Sequence, residues 1–169
     1  MDNFAEVFAM FDWLIDIVTN GALIVPAVSW IFAQILKAVI DAAVNKTFNV
    51  SRLFGDGGMP SGHSATVMSL ATVVGIQEGF DSAVFAVAMI FAVVVMHDAI
   101  GVRRETGKQA RMILSMIDVI SEYIDEKDKT IKVEKLKVLV GHTPLQVVLG
   151  ALLGVVIALL YVFVLPMVG

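Results

Sequence analysis

The stretch Gly57–Ala65 contains residue types suited to phosphate chemistry, directly ahead of an apolar run. Pro60 suits the first turn of a helix, and serine at position 61 favours a helix start. The unpaired N–H groups and positive dipole end of a helix start form an anion site. His63 there can hold a phosphate or donate a proton to a leaving oxygen. A glycine-bearing helix entry with an incidental histidine explains the same residues equally well.

The composition is that of one membrane domain covering residues 1–169. The chain is 58% hydrophobic and 17% charged, which is more apolar than a small soluble domain. It contains no cysteine, which excludes disulfides and thiolate sites. The acidic N-terminus lacks the basic region of a cleavable signal peptide. Basic residues are few, so we expect no nucleic-acid binding.

The apolar runs predict an all-α fold, an integral membrane helical bundle with about four spans. The spans are predicted at 21–44, 63–78, 82–101 and 143–165. Residues 4–19 read as an amphipathic helix on the membrane surface or against the bundle, and alternatively as a short tilted first span. Residues 102–142 read as a cytoplasmic loop containing a second amphipathic helix.

The last span is predicted to begin with Thr143 as N-cap and Pro144 as first helical residue. Gly150 and Gly154 give it a small-residue face for close helix packing. Within the first span, Lys37 and Asp41 share one helix face. Such charges usually face a polar interior, and snorkelling toward the interface is the alternative.

The charge distribution predicts the topology. All 12 lysines and arginines lie between Lys37 and Lys137, and with four spans they fall on one side. The positive-inside rule makes that side cytoplasmic and puts both termini outside. A fully spanning N-terminal helix would move the N-terminus inside and leave the basic loops where they are.

The cytoplasmic ends of the four predicted spans bring a set of reactive residue types together. Two histidines with surplus cations suit metal-free phosphoryl transfer, in which histidine can act as nucleophile and as acid. Hydrogen-bonded helix caps are the structural alternative for each histidine. The residues that converge are Lys37, Lys46, Arg52, Ser61, His63, Asp98, Arg103, Arg104, Lys108 and His142.

Three segments resemble one enzyme family across residues 22–165. The sequence PSGH at 60–63 matches the central signature of the type-2 phosphatidic acid phosphatases, the superfamily shared with vanadium haloperoxidases. The run from His142 to Gly154 resembles the third signature, a His-x-x-x-Asp pattern followed by small residues. Together with DAIGVRRETGKQA at 98–110, they look like the small, divergent bacterial and plastid branch.

The resemblance implies roles for individual residues. His142 would be the nucleophile and form a phosphohistidine, and His63 would protonate the leaving alcohol. Ser61 and the Gly62 backbone would hold phosphate oxygens. Members of the family need no metal, so we expect no metal site and no cofactor.

The chain departs from the family signatures at three places. Leu136 stands where the third signature has arginine, which leaves Arg103 or Arg104 as the displaced equivalent and Lys108 as a further cation. Lys46 and Arg52 are one residue too close for the first signature, and Lys37 is their rival. Gln146 replaces the expected carboxylate. Gln146 can orient the imidazole but cannot stabilise an imidazolium as an anion does, and Asp98 is an alternative orienting acid.

These observations predict a membrane phosphatase, located in the bacterial plasma membrane with its active site at the cytoplasmic face. It would hydrolyse a lipid phosphomonoester or diphosphate, such as a phospholipid or prenyl phosphate. The alternative is a catalytically silent membrane protein that binds anionic lipid headgroups or a partner. A secreted haloperoxidase is a distant third, and a homodimer is compatible with the sequence.

Overall fold

The computed structural model describes residues 3–46, 58–123 and 142–168. Over these ranges the chain is helical, which confirms the predicted all-α class. Predictions about Arg52 and Leu136 concern residues outside the described ranges. The helices are α1 (Asn3–Thr19), α2 (Gly21–Asn45), α3 (Gly62–Glu78), α4 (Ala83–Ile100), α5 (Val102–Tyr123) and α6 (Pro144–Val168).

Side-chain caps mark where the helices begin. The Asn20 side chain accepts the Ala22 N–H at 2.9 Å, and Asn20 alone separates α1 from α2. The Ser82 hydroxyl accepts the Phe85 N–H at 3.2 Å and starts α4. Between α3 and α4, Gly79 adopts φ +95°, a conformation that glycine tolerates best. The chain reverses direction in the short turn between Glu78 and Ala83, so α3 and α4 are antiparallel neighbours.

The start of α3 differs in one detail from its sequence prediction. Ser61 is the N-cap, and its hydroxyl accepts the Ser64 N–H at 3.3 Å. Helical geometry begins at Gly62, so His63 is the second residue of the helix. The prediction that Pro60 lies in the first turn is wrong, because Pro60 precedes the Ser61 N-cap and therefore lies outside the helix.

Helices α3 and α6 pack closely and in parallel. A Cβ atom on Gly150 would overlap the carbonyl oxygen of Ser61, and one on Gly154 would overlap that of Ala65. From the first contact to the second, the residue numbers increase along both helices, so the helices run in the same direction. Glycine at both positions therefore lets the α6 backbone lie against α3, which confirms the predicted small-residue face.

The distribution of apolar side chains is that of an integral membrane protein. Three described segments have the length and composition to cross a membrane: Gly21–Asn45, Ala83–Val119 and Pro144–Val164. Large apolar side chains on them face outward, for example Ile90 at 65% exposure, while the interior is filled largely by alanine and valine. Such an arrangement requires an apolar solvent around the bundle.

Helix α3 is the centre of the bundle and packs against α2, α4 and α6. It has 17 residues, or about 26 Å at 1.5 Å per residue. Its assignment as a fourth span stays a prediction. The two flanking helices are peripheral, because within the described residues α1 packs only against α2 and α5 only against α4.

Candidate active site

His63 and His142 face each other across a cavity at the shared end of α3, α4 and α6. Their ring centroids lie 6.4 Å apart with the ring planes inclined at 59°. The cavity has a volume of about 290 Å³. Both histidines predicted to carry the chemistry thus meet in space, although 78 positions separate them in the chain. The cavity is lined by His63, Val94, Val95, Asp98, Ala99 and His142.

Backbone hydrogen bonds fix the three helix ends around this cavity. The His142 N–H donates to the carbonyl of Ala99 in the last turn of α4, at 3.2 Å. The Ser61 N–H donates to the carbonyl of Gln146 in the first turn of α6, at 3.0 Å. His142 itself is buried, with 4% of its surface exposed. The position of His142 relative to His63 is therefore set by the backbone and not by side-chain contacts alone.

The start of α6 is a reciprocal capping box. The Gln146 N–H donates to the Thr143 hydroxyl at 3.4 Å, and the Thr143 N–H donates to the Gln146 side-chain oxygen at 3.0 Å. This confirms Thr143 as N-cap and Pro144 as first helical residue. The four-residue signature Thr-x-x-Gln is present in the sequence and is the local signal from which this second role of Gln146 can be predicted.

The capping box also brings an acceptor oxygen close to the His142 ring. Because the Gln146 Oε1 atom accepts the Thr143 N–H, this atom, and not the amide nitrogen, faces the start of the helix. Oε1 lies 3.3 Å from the His142 Nδ1 atom. An oxygen there can accept a hydrogen bond from a protonated Nδ1. Gln146 can thus hold the imidazole of His142 in a fixed orientation.

The phosphate ligands predicted at the start of α3 are the Ser61 side chain and backbone N–H groups, and the structure distinguishes the two. The Ser61 hydroxyl is fully buried, accepts the Ser64 N–H and also accepts the Ser64 hydroxyl at 3.0 Å. Its role in the structure is that of a helix cap. The first-turn N–H groups of Gly62 and His63 have no carbonyl partner within the helix. They lie at the positive end of α3 and are the groups suited to an anion.

Lys37 does not line the histidine cavity. It is buried beside Gly58 in a separate cavity of about 180 Å³, at the end of α2. Its ammonium donates to the Gln34 side-chain oxygen at 2.7 Å. Asp41, one turn further along α2, lines the same cavity, in agreement with the predicted shared face. A phosphate contact from Lys37 stays a prediction.

The other predicted cations that the structure describes lie at the end of α2 and on α5. Lys46 is exposed at the end of α2. Lys108 is exposed on α5 and pairs with Glu105 at 2.6 Å, and its hydrogen bond holds the pKa of that carboxyl below its usual value. Arg104 is also exposed on α5, and Arg103 precedes it on the same helix. Among the lysines and arginines whose side chains the structure describes, which do not include Arg103, none lines the histidine cavity.

Asp98 and the apolar wall complete the cavity. Asp98 lines it together with both histidines, as the predicted convergence requires. Val94, Val95 and Ala99 also line it. They were not among the predicted site residues, because apolar residues in a span carry no chemical signature. Among the described residues, histidine and carboxylate side chains form no group of three that could hold a metal ion.

Comparison with known proteins identifies relatives of the chain. A family model described as the Divergent PAP2 family matches residues 18–157. The chain is 39% identical over 154 residues to the uncharacterized membrane protein YuiD of Bacillus subtilis (strain 168). That alignment covers 88% of this chain and 98% of the relative. No solved structure gives a significant match.

Proposed function

The chain belongs to the divergent PAP2 family, and on that premise we propose that it is a membrane phosphatase with a histidine nucleophile. Its substrate is a lipid phosphomonoester or diphosphate, hydrolysed through a phosphohistidine on His142. The observation that carries this proposal is the pair of imidazoles facing each other across the cavity.

The spacing of the rings supports in-line transfer. The attacking nitrogen must come within about 3–3.5 Å of phosphorus. The acid must lie within about 2.6–3.2 Å of the leaving oxygen. The ring centroids lie 6.4 Å apart, so one phosphoryl group can lie within reach of both imidazoles. In this proposal the first-turn N–H groups of Gly62 and His63 stabilise the equatorial oxygens.

The first step forms the phosphoenzyme. Nε2 of His142 attacks phosphorus, the bond from phosphorus to the lipid oxygen breaks, and protonated His63 gives its hydrogen to the departing alkoxide. The His142 Nδ1–H remains donated to the Gln146 oxygen throughout. The positive charge that develops on the imidazole is therefore stabilised by a neutral dipole.

The second step releases phosphate. Neutral His63 accepts a proton from a water molecule, whose oxygen attacks the phosphorus of the phosphohistidine. The bond between phosphorus and Nε2 breaks, which restores the lone pair on His142 and the proton on His63. Both histidines return to their starting states, and the net reaction consumes one water per phosphate released.

A lipid substrate is supported by the wall of the cavity. Val94 lines the cavity and is 59% exposed on a helix whose outer face meets the membrane. The cavity therefore has a polar histidine end and an apolar side toward the bilayer. A phosphate attached to a hydrocarbon chain fits both ends at once. The confinement of every lysine and arginine to residues 37–137 supports a cytoplasmic location of this end.

Phosphate release from a panel of lipid phosphates, measured on the purified full-length protein in detergent with EDTA present, tests the proposal. We expect turnover that vanadate inhibits and that His142→Ala abolishes. His97→Ala is the matched control, because His97 is exposed on α4 and lies outside the cavity. Activity that chelator removes and magnesium restores would contradict the mechanism.

A catalytically silent protein that binds anionic headgroups is the second candidate. The neutral Gln146 in place of a carboxylate is the observation that favours it. A purified protein that binds phosphatidate vesicles through His63 and His142, with no phosphate released above the His142→Ala background, would make this the better proposal.

A further inference from the structure

We propose that the second half of α5 lies in the plane of the membrane surface, at the end of the bundle where the histidines meet, with its apolar side embedded among lipid chains. The basic first half of the same helix then contacts anionic headgroups. This surface lies outside the histidine cavity, and the proposal stands whether or not the histidines are catalytic.

The position of α4 brings the start of α5 to the membrane surface. Helix α4 has 18 residues, or about 27 Å of the roughly 30 Å hydrocarbon core. Gly101 is the only residue between the end of α4 and the start of α5. It opens with Arg103 and Arg104, and Lys108 lies one turn further on. Cations of this kind are costly inside the hydrocarbon core. The chain therefore leaves the core at Gly101, and α5 begins at the interface.

The second half of α5 has a broad apolar side. Between Ala110 and Ile120 the only polar residues are Arg111, Ser115 and Asp118. Their spacing of four and three residues puts them on one narrow stripe of a helix. The remaining positions cover roughly 220° of the circumference at 100° per residue. The seam of a two-helix coiled coil is much narrower, so this pattern suits burial in lipid better than pairing with a second copy.

The apolar side of this segment is open in the structure. Met112, Ile113, Met116 and Val119 are between 48% and 63% exposed. Within the described residues, α5 packs against α4 and no other helix. The outward surface of α4, with Ile90 and Phe91 exposed, already faces lipid, and α5 continues directly from it. A membrane is thus the apolar phase adjacent to this face.

The charges of α5 indicate which lipids it meets. Residues 102–111 carry four cations and one carboxylate, whereas the acids Asp118 and Glu122 lie toward the far end. The carboxylate, Glu105, is paired with Lys108. Arg103, Arg104 and Arg111 therefore give the first half a positive surplus. Anionic headgroups complement that surplus where the helix meets the bilayer.

Two single cysteines test the orientation, because the native chain has none. Ile113→Cys and Ser115→Cys lie on opposite sides of α5, and each is labelled with an environment-sensitive fluorophore in the full-length protein. The vesicles contain phosphatidylcholine and phosphatidylglycerol. We expect the label at 113 to be quenched by nitroxide-bearing lipid chains and the label at 115 by aqueous iodide, with at least a threefold preference in each case.

Several outcomes would overturn the proposal. Equal quenching of both labels by iodide would place α5 in water. Shielding of the label at 113 from both quenchers would show that protein covers this face, and a disulfide between two Ile113→Cys chains would identify a second copy. Lipid quenching at 113 that is the same without phosphatidylglycerol, or unchanged by Arg104→Gln with Arg111→Gln, would overturn the role of anionic headgroups.

Discussion

The side-chain oxygen of Gln146 lies 3.3 Å from Nδ1 of His142, which precedes Gln146 by four residues. The same oxygen accepts the Thr143 N–H at 3.0 Å. One amide oxygen thus closes the N-cap of α6 and orients the imidazole. The helix start and the orientation of the His142 imidazole are consequently coupled. A residue at 146 must satisfy both, and glutamate does so while adding a negative charge.

Gln146→Glu should raise the rate of phosphoenzyme formation. Glutamate keeps the capping box and suits a helix N-terminus. Its charge would stabilise the imidazolium that develops on His142, by about tenfold or more in rate, the scale of ~1.4 kcal/mol. Single-turnover kinetics measures the step directly, and the gain should fade in acid as the new carboxylate is protonated. Gln146→Ala, which loses the cap and the hydrogen bond, should slow it. A rate indifferent to Gln146→Glu at every pH would assign the orienting role to Asp98.

His63→Ala should slow turnover most on substrates with basic leaving groups. General acids contribute roughly 10²–10⁴-fold when an alkoxide must be protonated, and little when the leaving group is already a good one. The ratio of rates on an alkyl lipid phosphate and on an aryl phosphate measures this. We expect the variant to lose far more on the lipid phosphate. Equal losses on both substrates would argue against proton donation by His63.

Gly150→Ala should destabilise the protein and impair its activity. The new Cβ atom would press on the Ser61 carbonyl at the start of α3, and overpacking typically costs about 1–3 kcal/mol. Gly154→Ala should lower the thermal midpoint similarly, yet reduce turnover less, because it meets α3 at Ala65, one turn beyond the Ser61 cap, and not at the helix start. Val148→Ala, on the exposed side of α6, is the control and should change neither quantity much. Turnover reduced equally by both alanine variants would indicate that general stability, and not the α3 start, controls the site.

One of the arginines at the start of α5 should be required for turnover. Arg103→Lys and Arg104→Lys keep the charge but lose the fork that binds phosphate in a bidentate manner. We expect at least one of them to lose ~10-fold or more in kcat/KM, equivalent to ~1.4 kcal/mol. Arg111→Lys, two turns further along α5, is the matched control. Full activity in both variants would make Lys46 and Arg52 the better candidates for binding the phosphate.

The histidine end of the bundle should face the cytoplasm. Single cysteines at Asp56, Lys129 and Phe80 can be probed on intact cells with an impermeant thiol reagent, since no native cysteine interferes. We expect labelling at position 80, in the turn between α3 and α4, and protection of the other two. The reverse pattern would invert the topology.

The sequence alone determined the membrane class, the helices and the identity of the two histidines. Hydrophobic runs, caps such as Ser61 and Thr143, and glycine-bearing turns act over a few residues, so local physics reveals them. The paired glycines at 150 and 154 were also readable, because close helix packing demands small residues at that spacing. The family signatures at 60–63 and 142–154 rest on the same local information.

Only the tertiary structure decided which of these groups meet. The separation of Lys37 from the histidine cavity depends on how α2 packs against the segment at Gly58, and no local pattern encodes that packing. The 3.3 Å contact between the Gln146 oxygen and Nδ1 of His142, on which the proposed use of Nε2 rests, is likewise seen only in the folded chain. The contact between His142 and Ala99 joins residues far apart in the chain, so it exists only once α4 and α6 have packed around α3.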